Sequence, residues 1–473
     1  MVLGTTSGAG KSWLVTALCR WYARQGLKVA PYKAQNMSNN ARVVPGLNGS
    51  MGEIGSAQYF QALAAGRVPE VRMNPVLLKP EADTQSQVVV LGEVDAALSR
   101  LPWHERSALL GPRAEGALHE LMAENDVVVI EGAGSPAEIN LAANDYVNLG
   151  TARAARAACL LVTDIDRGGA FAHLYGTHQL MPADVRAQLR GFVLNRFRGD
   201  AALLTPGPEQ LQALTGVPTV ATLPMWRGHG LPEEDGVFDD STTGAGLRIA
   251  VVAYPRLSNL DEFQPLRQLP GVCLSWARTP QDLAGADWII LPGSKSTAAD
   301  LAWLREQRLD AAINTHPGPI LGICGGLQML GEALIDTEGV DGNAPGLGLL
   351  PLVTVFAREK RLLDTTVRFD RLDEPWAPLS EVSARGYEIR HGRTRAHPAF
   401  EPPRVALRNA GGEAIGWQAG RVLGVYAHGL FEQPAVLQAL FSQRGKPLEA
   451  VFDGLADFIN LHFEPGVLAG LLS

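Results

Sequence analysis

Short apolar runs rich in β-branched residues alternate along the chain with amphipathic stretches, and this alternation limits the possible folds more than any other feature of the sequence. The runs are KVAPYK (28–33), DVVVIEGAG (126–134), ACLLVTDID (158–166), GFVLNRF (191–197) and TVATLP (219–224), then RIAVVAYP (248–255), DWIILPG (287–293), PILGICGG (319–326) and RVLGVYAHG (421–429). Strands separated by helices need crossover connections, which make neighbouring strands parallel and lay helices on the sheet faces. The expectation is an α/β protein built on parallel sheets. Between the fifth and sixth runs lies Arg227–Gly246, a polar, acidic, Gly-rich stretch without helical periodicity, which reads as a linker. A chain of 473 residues also exceeds what one hydrophobic core serves. Residues 1–240 are therefore expected to form one α/β domain and residues 247–440 a second. Residues 441–473 are expected to form a tail in which KPLEAVFDGLADFINLHF is a terminal helix.

Composition narrows the partners. The formal net charge is −8 and the basic residues are scattered, which argues against a nucleic-acid or anionic-membrane surface. No apolar stretch is long enough to span a bilayer. The four cysteines, Cys19, Cys159, Cys273 and Cys324, form no C-x-x-C pair, so neither a disulfide framework nor a zinc site is indicated, and a reducing cytoplasm is expected. A small-molecule partner fits these limits.

Gly4-Thr5-Thr6-Ser7-Gly8-Ala9-Gly10-Lys11-Ser12 opens a helical stretch. In such a loop, backbone N–H groups at a helix N-terminus cradle phosphates, the lysine neutralises the outer phosphates and the serine hydroxyl ligates magnesium. The spacing is one residue longer than G-x-x-x-x-G-K-[ST], with Thr5 at the expected glycine position. A Gly-rich turn is the plainer alternative. Only Met1-Val2-Leu3 precede the loop, which leaves a first strand at the lower limit of length. Glu131 ends the run Val127–Ile130 at the carboxyl edge of a parallel sheet, where α/β folds bind ligands, and is the candidate magnesium-side carboxylate. An N-capping role is its alternative. Asp164-Ile165-Asp166-Arg167 repeats that arrangement at another strand end.

In the second half, Cys324 sits between a buried strand and the start of a helix, flanked by Gly322, Gly325 and Gly326. Glycines permit a sharp elbow, and a helix N-terminus favours the thiolate. A buried inert thiol is the alternative. His428, at the end of another run, supplies a proton carrier for such a nucleophile. Backbone N–H groups at Gly293 or Ser294, after the run Trp288–Leu291, could converge with that of Gly325 on an oxyanion, one donor being worth roughly 3 kcal/mol of transition-state stabilisation.

These motifs, a G-x-C-G-G elbow, a P-G-S-K turn and a late Y-x-H-G, resemble a class I glutamine amidotransferase domain of the cobyric and cobyrinic acid type. Related domains often carry a carboxylate two residues after the histidine. Leu430 occupies that position here, so the group that orients His428 is unassigned. In the N-terminal half, KAQNMSNN (33–40), GEIGSAQ (52–58), MNPVLLKP (73–80), DIDRGG (164–169) and NRFRGD (195–200) resemble the cobyric acid synthase branch, and the phosphate-loop domain is similar to dethiobiotin synthetase, whose loop carries the same extra residue. GYEIRH (386–391) departs from the branch, which tends to place histidine directly after isoleucine.

The resemblance implies an N-terminal phosphate-loop domain followed by a class I amidotransferase α/β domain. It implies ATP- and magnesium-dependent amidation of the b, d, e and g carboxylates of adenosylcobyrinic acid a,c-diamide, with nitrogen from glutamine and no prosthetic group. Cys324 and His428 would be catalytic, with Gly293, Ser294 and Gly325 forming the oxyanion hole. Gly4 to Ser12 and Lys33 would bind ATP, and Ser12 and Glu131 would hold magnesium. Gln35, Asn36, Asn39 and Asn40 would face the corrinoid periphery. Two alternatives remain open at this level: the sister a,c-diamide synthase, and a non-catalytic nucleotide switch resembling partitioning ATPases.

Overall fold

The computed structural model describes residues 1–82, 85–232 and 246–472, so most of the expected linker Arg227–Gly246 lies outside the described residues. In the N-terminal part, the strands Val2–Gly4, Cys159–Asp164, Leu189–Phe197 and Thr219–Pro224 pair in parallel in that order. Val29–Tyr32 runs parallel to Val127–Ile130, and a bridge from Val2 to Glu131 sets this pair beside the first strand. The first strand is only three residues long, yet it has neighbours on both sides and Val2 and Leu3 are buried. Its central place lets so short a run carry the phosphate loop at its carboxyl end.

The polar motifs of this half run into two further small sheets. Gln35–Met37 runs parallel to Val76–Ala82, which pairs antiparallel with Gln85–Val90, while Ala41–Pro45 and Met51–Gly55 form a hairpin. The chain end returns to this part of the molecule. In the helix Leu448–His462, Val451, Phe452, Leu455 and Ile459 fall on one stripe and are buried against Leu14 and Leu18 of the helix Lys11–Arg24. Arg20 pairs with Asp453 at 2.8 Å along the rim of this contact.

The C-terminal part is an 11-stranded mixed sheet. Val272–Ala277, Leu247–Val252, Trp288–Leu291, Ile320–Ile323 and Val422–Val425 lie side by side in parallel. Antiparallel strands follow, among them the long hairpin Leu352–Phe369 with Ser383–Ala396. The parallel strands are nearly continuous apolar runs because helices cover both faces.

The two parts meet along a buried interface. Ile389 of the long hairpin packs on Ala41, Leu77 and Val89. Glu53, fully buried, is held by Lys79 of its own domain at 2.6 Å and by Lys360 from the other. Lys295 reaches across to Glu81 at 3.0 Å.

Candidate active site

Cys324 stands at the junction of the strand Ile320–Ile323 and the helix Gly325–Leu330, with φ 52° and ψ −102°. Its own N–H is bonded to the Val425 carbonyl at 2.8 Å, so the neighbouring strand over-determines this strained elbow. The elbow needs glycine behind it, because a Cβ on Gly326 would lie 1.9 Å from the Leu291 carbonyl oxygen. The Cys324 Sγ faces the Ile389 carbonyl at 3.6 Å. His428, brought from the end of the strand Val422–Val425, is buried beside the Cys324 sulfur.

The residues expected to form the oxyanion hole lie close to this pair. A Cβ on Gly325 would sit 2.7 Å from the Ser294 amide nitrogen, and one on Gly293 would sit 2.9 Å from His428 Cε1. Ser294 is fixed by its hydroxyl, which donates to Asp300 at 2.6 Å. Burial pushes the Asp300 carboxyl up to about 6 against that hydrogen bond.

The group that orients His428 lies far upstream. Nδ1 of His428 lies 3.1 Å from Glu262 Oε1, and Glu262 Oε2 accepts from the Gly429 N–H at 3.1 Å. Glu262 belongs to the short turn Leu260–Phe263 and its side chain is 1 % exposed. Burial alone would push the imidazole down, but the Glu262 carboxylate and the Cys324 sulfur outweigh it and raise His428 to about 10. The ring is therefore cationic at neutral pH. Tyr387 stacks on it, with centroids 5.3 Å apart, and the Tyr387 hydroxyl accepts from Asn259 Nδ2 at 2.7 Å. Sequence reasoning missed Glu262 because an acidic residue in an irregular segment 166 positions before the histidine carries no spacing signal.

At the phosphate loop, Gly10 adopts φ 95°, and a Cβ there would lie 2.0 Å from the Asn195 side-chain nitrogen, which donates to the Ala9 carbonyl at 2.9 Å. Thr5 bonds Thr163 at 3.0 Å through the hydroxyls, tying the loop to the next strand. Lys11 Nζ donates to the Thr6 and Gly134 carbonyls at 3.0 and 3.1 Å. Glu131 is the hub of the site. It accepts from Ser12 Oγ at 2.7 Å, Lys33 Nζ at 2.8 Å and Gln61 Nε2 at 2.5 Å. Burial would raise this carboxyl, but the Lys33 ammonium and the hydrogen bonds hold it below the usual range, so it is an anion. Ser12 and Glu131 thus offer a hydroxyl and an ionised carboxylate within one hydrogen bond of each other. That oxygen set suits magnesium, which takes few protein carboxylates and keeps several waters.

The amides of the polar motif divide between two tasks. Asn36 donates to Gln58 Oε1 at 3.1 Å, and Gln58 in turn donates to Glu131 at 3.3 Å; Gln35 Oε1 accepts from the Tyr146 hydroxyl at 2.5 Å. Asn39 donates to the Pro80 carbonyl at 3.3 Å, and Asn40 Oδ1 accepts the Leu260 N–H of the other domain at 2.8 Å. The Asn40 side chain therefore belongs to the domain interface, and the structure does not bring it together with the phosphate loop as one open surface.

A cysteine–histidine–carboxylate site on a mixed α/β sheet, fused to a phosphate-loop sheet, defines the class: a glutamine-hydrolysing amidotransferase with its own nucleotide-binding domain. Residues 248–436 match the CobB/CobQ-like glutamine amidotransferase domain, and residues 1–228 match the CobQ/CobB/MinD/ParA nucleotide binding domain. A cobyric acid synthase of Methylibium petroleiphilum is 71% identical, the match covering 100% of this chain and 96% of that one. Those of Leptothrix cholodnii and Variovorax paradoxus are 69% and 67% identical, each match covering 100% of this chain and 96% and 99% of theirs. The chain belongs to the cobyric acid synthase family, the glutamine amidotransferases of cobalamin biosynthesis. Family membership sets aside the sister synthase and the non-catalytic switch. No helix among the described residues is long and apolar enough to cross a membrane.

Proposed function

We propose that this chain amidates the b, d, e and g carboxylates of adenosylcobyrinic acid a,c-diamide, using ATP to activate each carboxylate and glutamine to supply ammonia. The observation that supports it is the pairing of Cys324 with a cationic, Glu262-bound His428 in one buried site, joined by a packed interface to a phosphate loop whose Glu131 is held by Ser12 and Lys33. The Cys324 thiolate attacks the glutamine amide carbon, and N–H groups at Gly293, Ser294 and Gly325 receive the developing oxyanion. His428 gives its proton to the departing nitrogen, so ammonia and a thioester form. The neutral imidazole then takes a proton from water as the hydroxide adds to the thioester, releasing glutamate and restoring the pair.

A carboxylate does not react with ammonia, because its leaving group would be oxide. Transfer of the γ-phosphoryl group to the substrate carboxylate gives an acyl phosphate and ADP; ammonia then displaces phosphate and forms the amide. Gly4 to Ser12 cradle the phosphates, Lys11 follows the charge in flight and Lys33 assists it. Magnesium held by Ser12 and Glu131 supplies further charge stabilisation when bound. Asn36, tied to Glu131 through Gln58, and Gln35, held by Tyr146, suit a ligand rimmed with carboxylates and carboxamides, and Asn39 lies beside them in the same segment. Generating ammonia inside the same molecule keeps it unprotonated and away from water, which would compete for the acyl phosphate.

The test is mass spectrometry of the corrinoid after incubation with protein, ATP, magnesium and glutamine, beside Cys324→Ala supplied with glutamine or with an ammonium salt. Four successive amidations, lost in the variant with glutamine and restored by ammonia, are expected. Amidation from neither nitrogen source would refute the reading.

A further inference from the structure

A cavity of about 600 Å³ opens beside the phosphate loop, within the range of small-molecule sites. Its lining joins Gly10, Asn195 and Trp226 of the N-terminal part to Leu260, Asp261 and Gln264 of the amidotransferase part. A nucleotide whose phosphates rest on the loop would thus have its nucleoside beside residues of the second domain.

Asp261 is the unusual member of that lining. Its side chain is 1 % exposed, and Oδ2 is paired with the Arg42 guanidinium. Oδ1 is buried and has no hydrogen-bond partner among the described residues. A buried carboxylate oxygen left without a donor is costly, and because Asp261 belongs to the cavity lining, a donor on a ligand held there would satisfy it. Ribose hydroxyls and an exocyclic base amine are such donors, whereas the phosphates are not.

Asp261 also cannot move alone. The Leu260 N–H is fixed by Asn40 at 2.8 Å, Asn259 donates to the Ala41 carbonyl at 3.3 Å, and the next residue is Glu262, which orients His428. The turn that lines the nucleotide cavity is the turn that sets the glutaminase histidine.

We propose that the nucleotide site is shared between the domains: Asp261 accepts a hydrogen bond from the nucleoside part of the bound nucleotide, and the turn Asn259–Phe263 carries that occupancy to Glu262 and His428. The proposal rests on the ATP reading above and adds a ligand contact from the amidotransferase domain. Asp261 is a binding and positioning residue; it touches no reacting atom.

Trp13, Trp226 and Trp276 line the cavity, so tryptophan fluorescence reports binding without any turnover. The parent, Asp261→Asn and Glu432→Gln are titrated with ATP and with inorganic tripolyphosphate, which occupies the loop but has no nucleoside. Glu432 shares Arg42 with Asp261 but is not part of the cavity lining, so it separates a ligand contact from domain docking. Loss of one charge-assisted hydrogen bond should weaken ATP about tenfold in Asp261→Asn. Tripolyphosphate should bind that variant as it binds the parent, and Glu432→Gln should bind both ligands normally.

Hydrogen exchange on the parent keeps the proposal testable should the variant not fold: ATP, and not tripolyphosphate, should slow exchange at the Leu260–Phe263 amides. Unchanged ATP affinity in Asp261→Asn overturns the proposal, as does an equal loss for tripolyphosphate or an equal loss in Glu432→Gln. A parent that binds tripolyphosphate as tightly as ATP overturns it while leaving the phosphate-loop reading intact. A parent that binds neither overturns both.

Discussion

Replacing Glu262 by glutamine isolates the contribution of the third member of the cysteine site, because it keeps the side-chain shape and removes only charge and one acceptor. In the parent, the two carboxylate oxygens serve two donors, the His428 Nδ1–H and the Gly429 N–H, at 3.1 Å each. Glutamine has one acceptor oxygen and an NH₂ group in place of the other. If the NH₂ faces the ring, Nδ1 must become an acceptor and the proton moves to Nε2, the wrong tautomer for work on Cys324. If the oxygen faces the ring, the NH₂ opposes the Gly429 N–H. Either way the carboxylate that lifts His428 to about 10 is gone, and burial then pulls the imidazole down. General acid–base contributions run to about 10²–10⁴-fold, so glutamine hydrolysis should fall by that factor, about 3–5 kcal/mol in activation free energy. The assay is glutamate release at saturating glutamine, run beside corrinoid amidation with ammonium salt, which bypasses the cysteine site and should persist. A hydrolysis rate within about threefold of the parent, below the smallest effect expected of acid–base catalysis, would refute the role given to Glu262.

The remaining predictions concern stability. Gly326→Ala forces a methyl to within 1.9 Å of the Leu291 carbonyl oxygen, so overpacking should destabilise the chain by about 1–3 kcal/mol or more; a parent-like urea midpoint would contradict the elbow geometry. Lys33→Met leaves the Glu131 carboxylate, 1 % exposed, without its cation, and should cost about 3–5 kcal/mol in denaturant titration; an unchanged midpoint would mean that the pair is dispensable. His428 has a folded value near 10 against an unfolded value near 6.5, so its contribution is complete below about pH 6.5 and is lost as pH rises through about 10. Tm should therefore fall more steeply across that window in the parent than in Glu262→Gln, and parallel curves would show that the pair does not carry the effect.

How legible the fold was depended on what buries each segment. The apolar runs, from KVAPYK to RVLGVYAHG, all became strands, because a parallel sheet covered by helices must be apolar on both faces and this composition shows directly in sequence. The hairpins Ala41–Pro45 with Met51–Gly55 and Leu352–Phe369 with Ser383–Ala396 gave no such sign. They carry Arg42, Glu53 and Lys360, which read as surface residues until a partner from the other domain neutralises each of them. Pairings of that kind span hundreds of residues and leave no local periodicity. The same reason explains the site. Cys324 and the phosphate loop announce themselves because glycines and strand ends are local, whereas Glu262 is defined only by where the fold brings it. The resemblance gave Asn40 of KAQNMSNN a substrate-facing role, and nothing local in that motif showed its commitment to the other domain.

The placement of that carboxylate follows from how the chain uses the residues after His428. Leu430, where related domains carry an acid, is buried, and the turn Leu430–Glu432 delivers Glu432 to Arg42 instead. The planar Arg42 fork grips Glu432 and Asp261 together while Tyr59, Phe60 and Tyr387 pack around it, with its centre 5.3, 4.9 and 5.0 Å from their ring centroids. A buried ion cluster of this kind adds little net stability, because desolvation offsets most of the attraction, but a planar fork fixes the relative positions of the groups it binds. One of those groups neighbours Glu262 and the other follows His428 by four residues. A guanidinium from the synthetase domain therefore spans the two segments whose separation decides whether the Glu262–His428 hydrogen bond forms, which an acid two residues after the histidine, carried on the histidine's own strand end, would have placed under the amidotransferase domain alone.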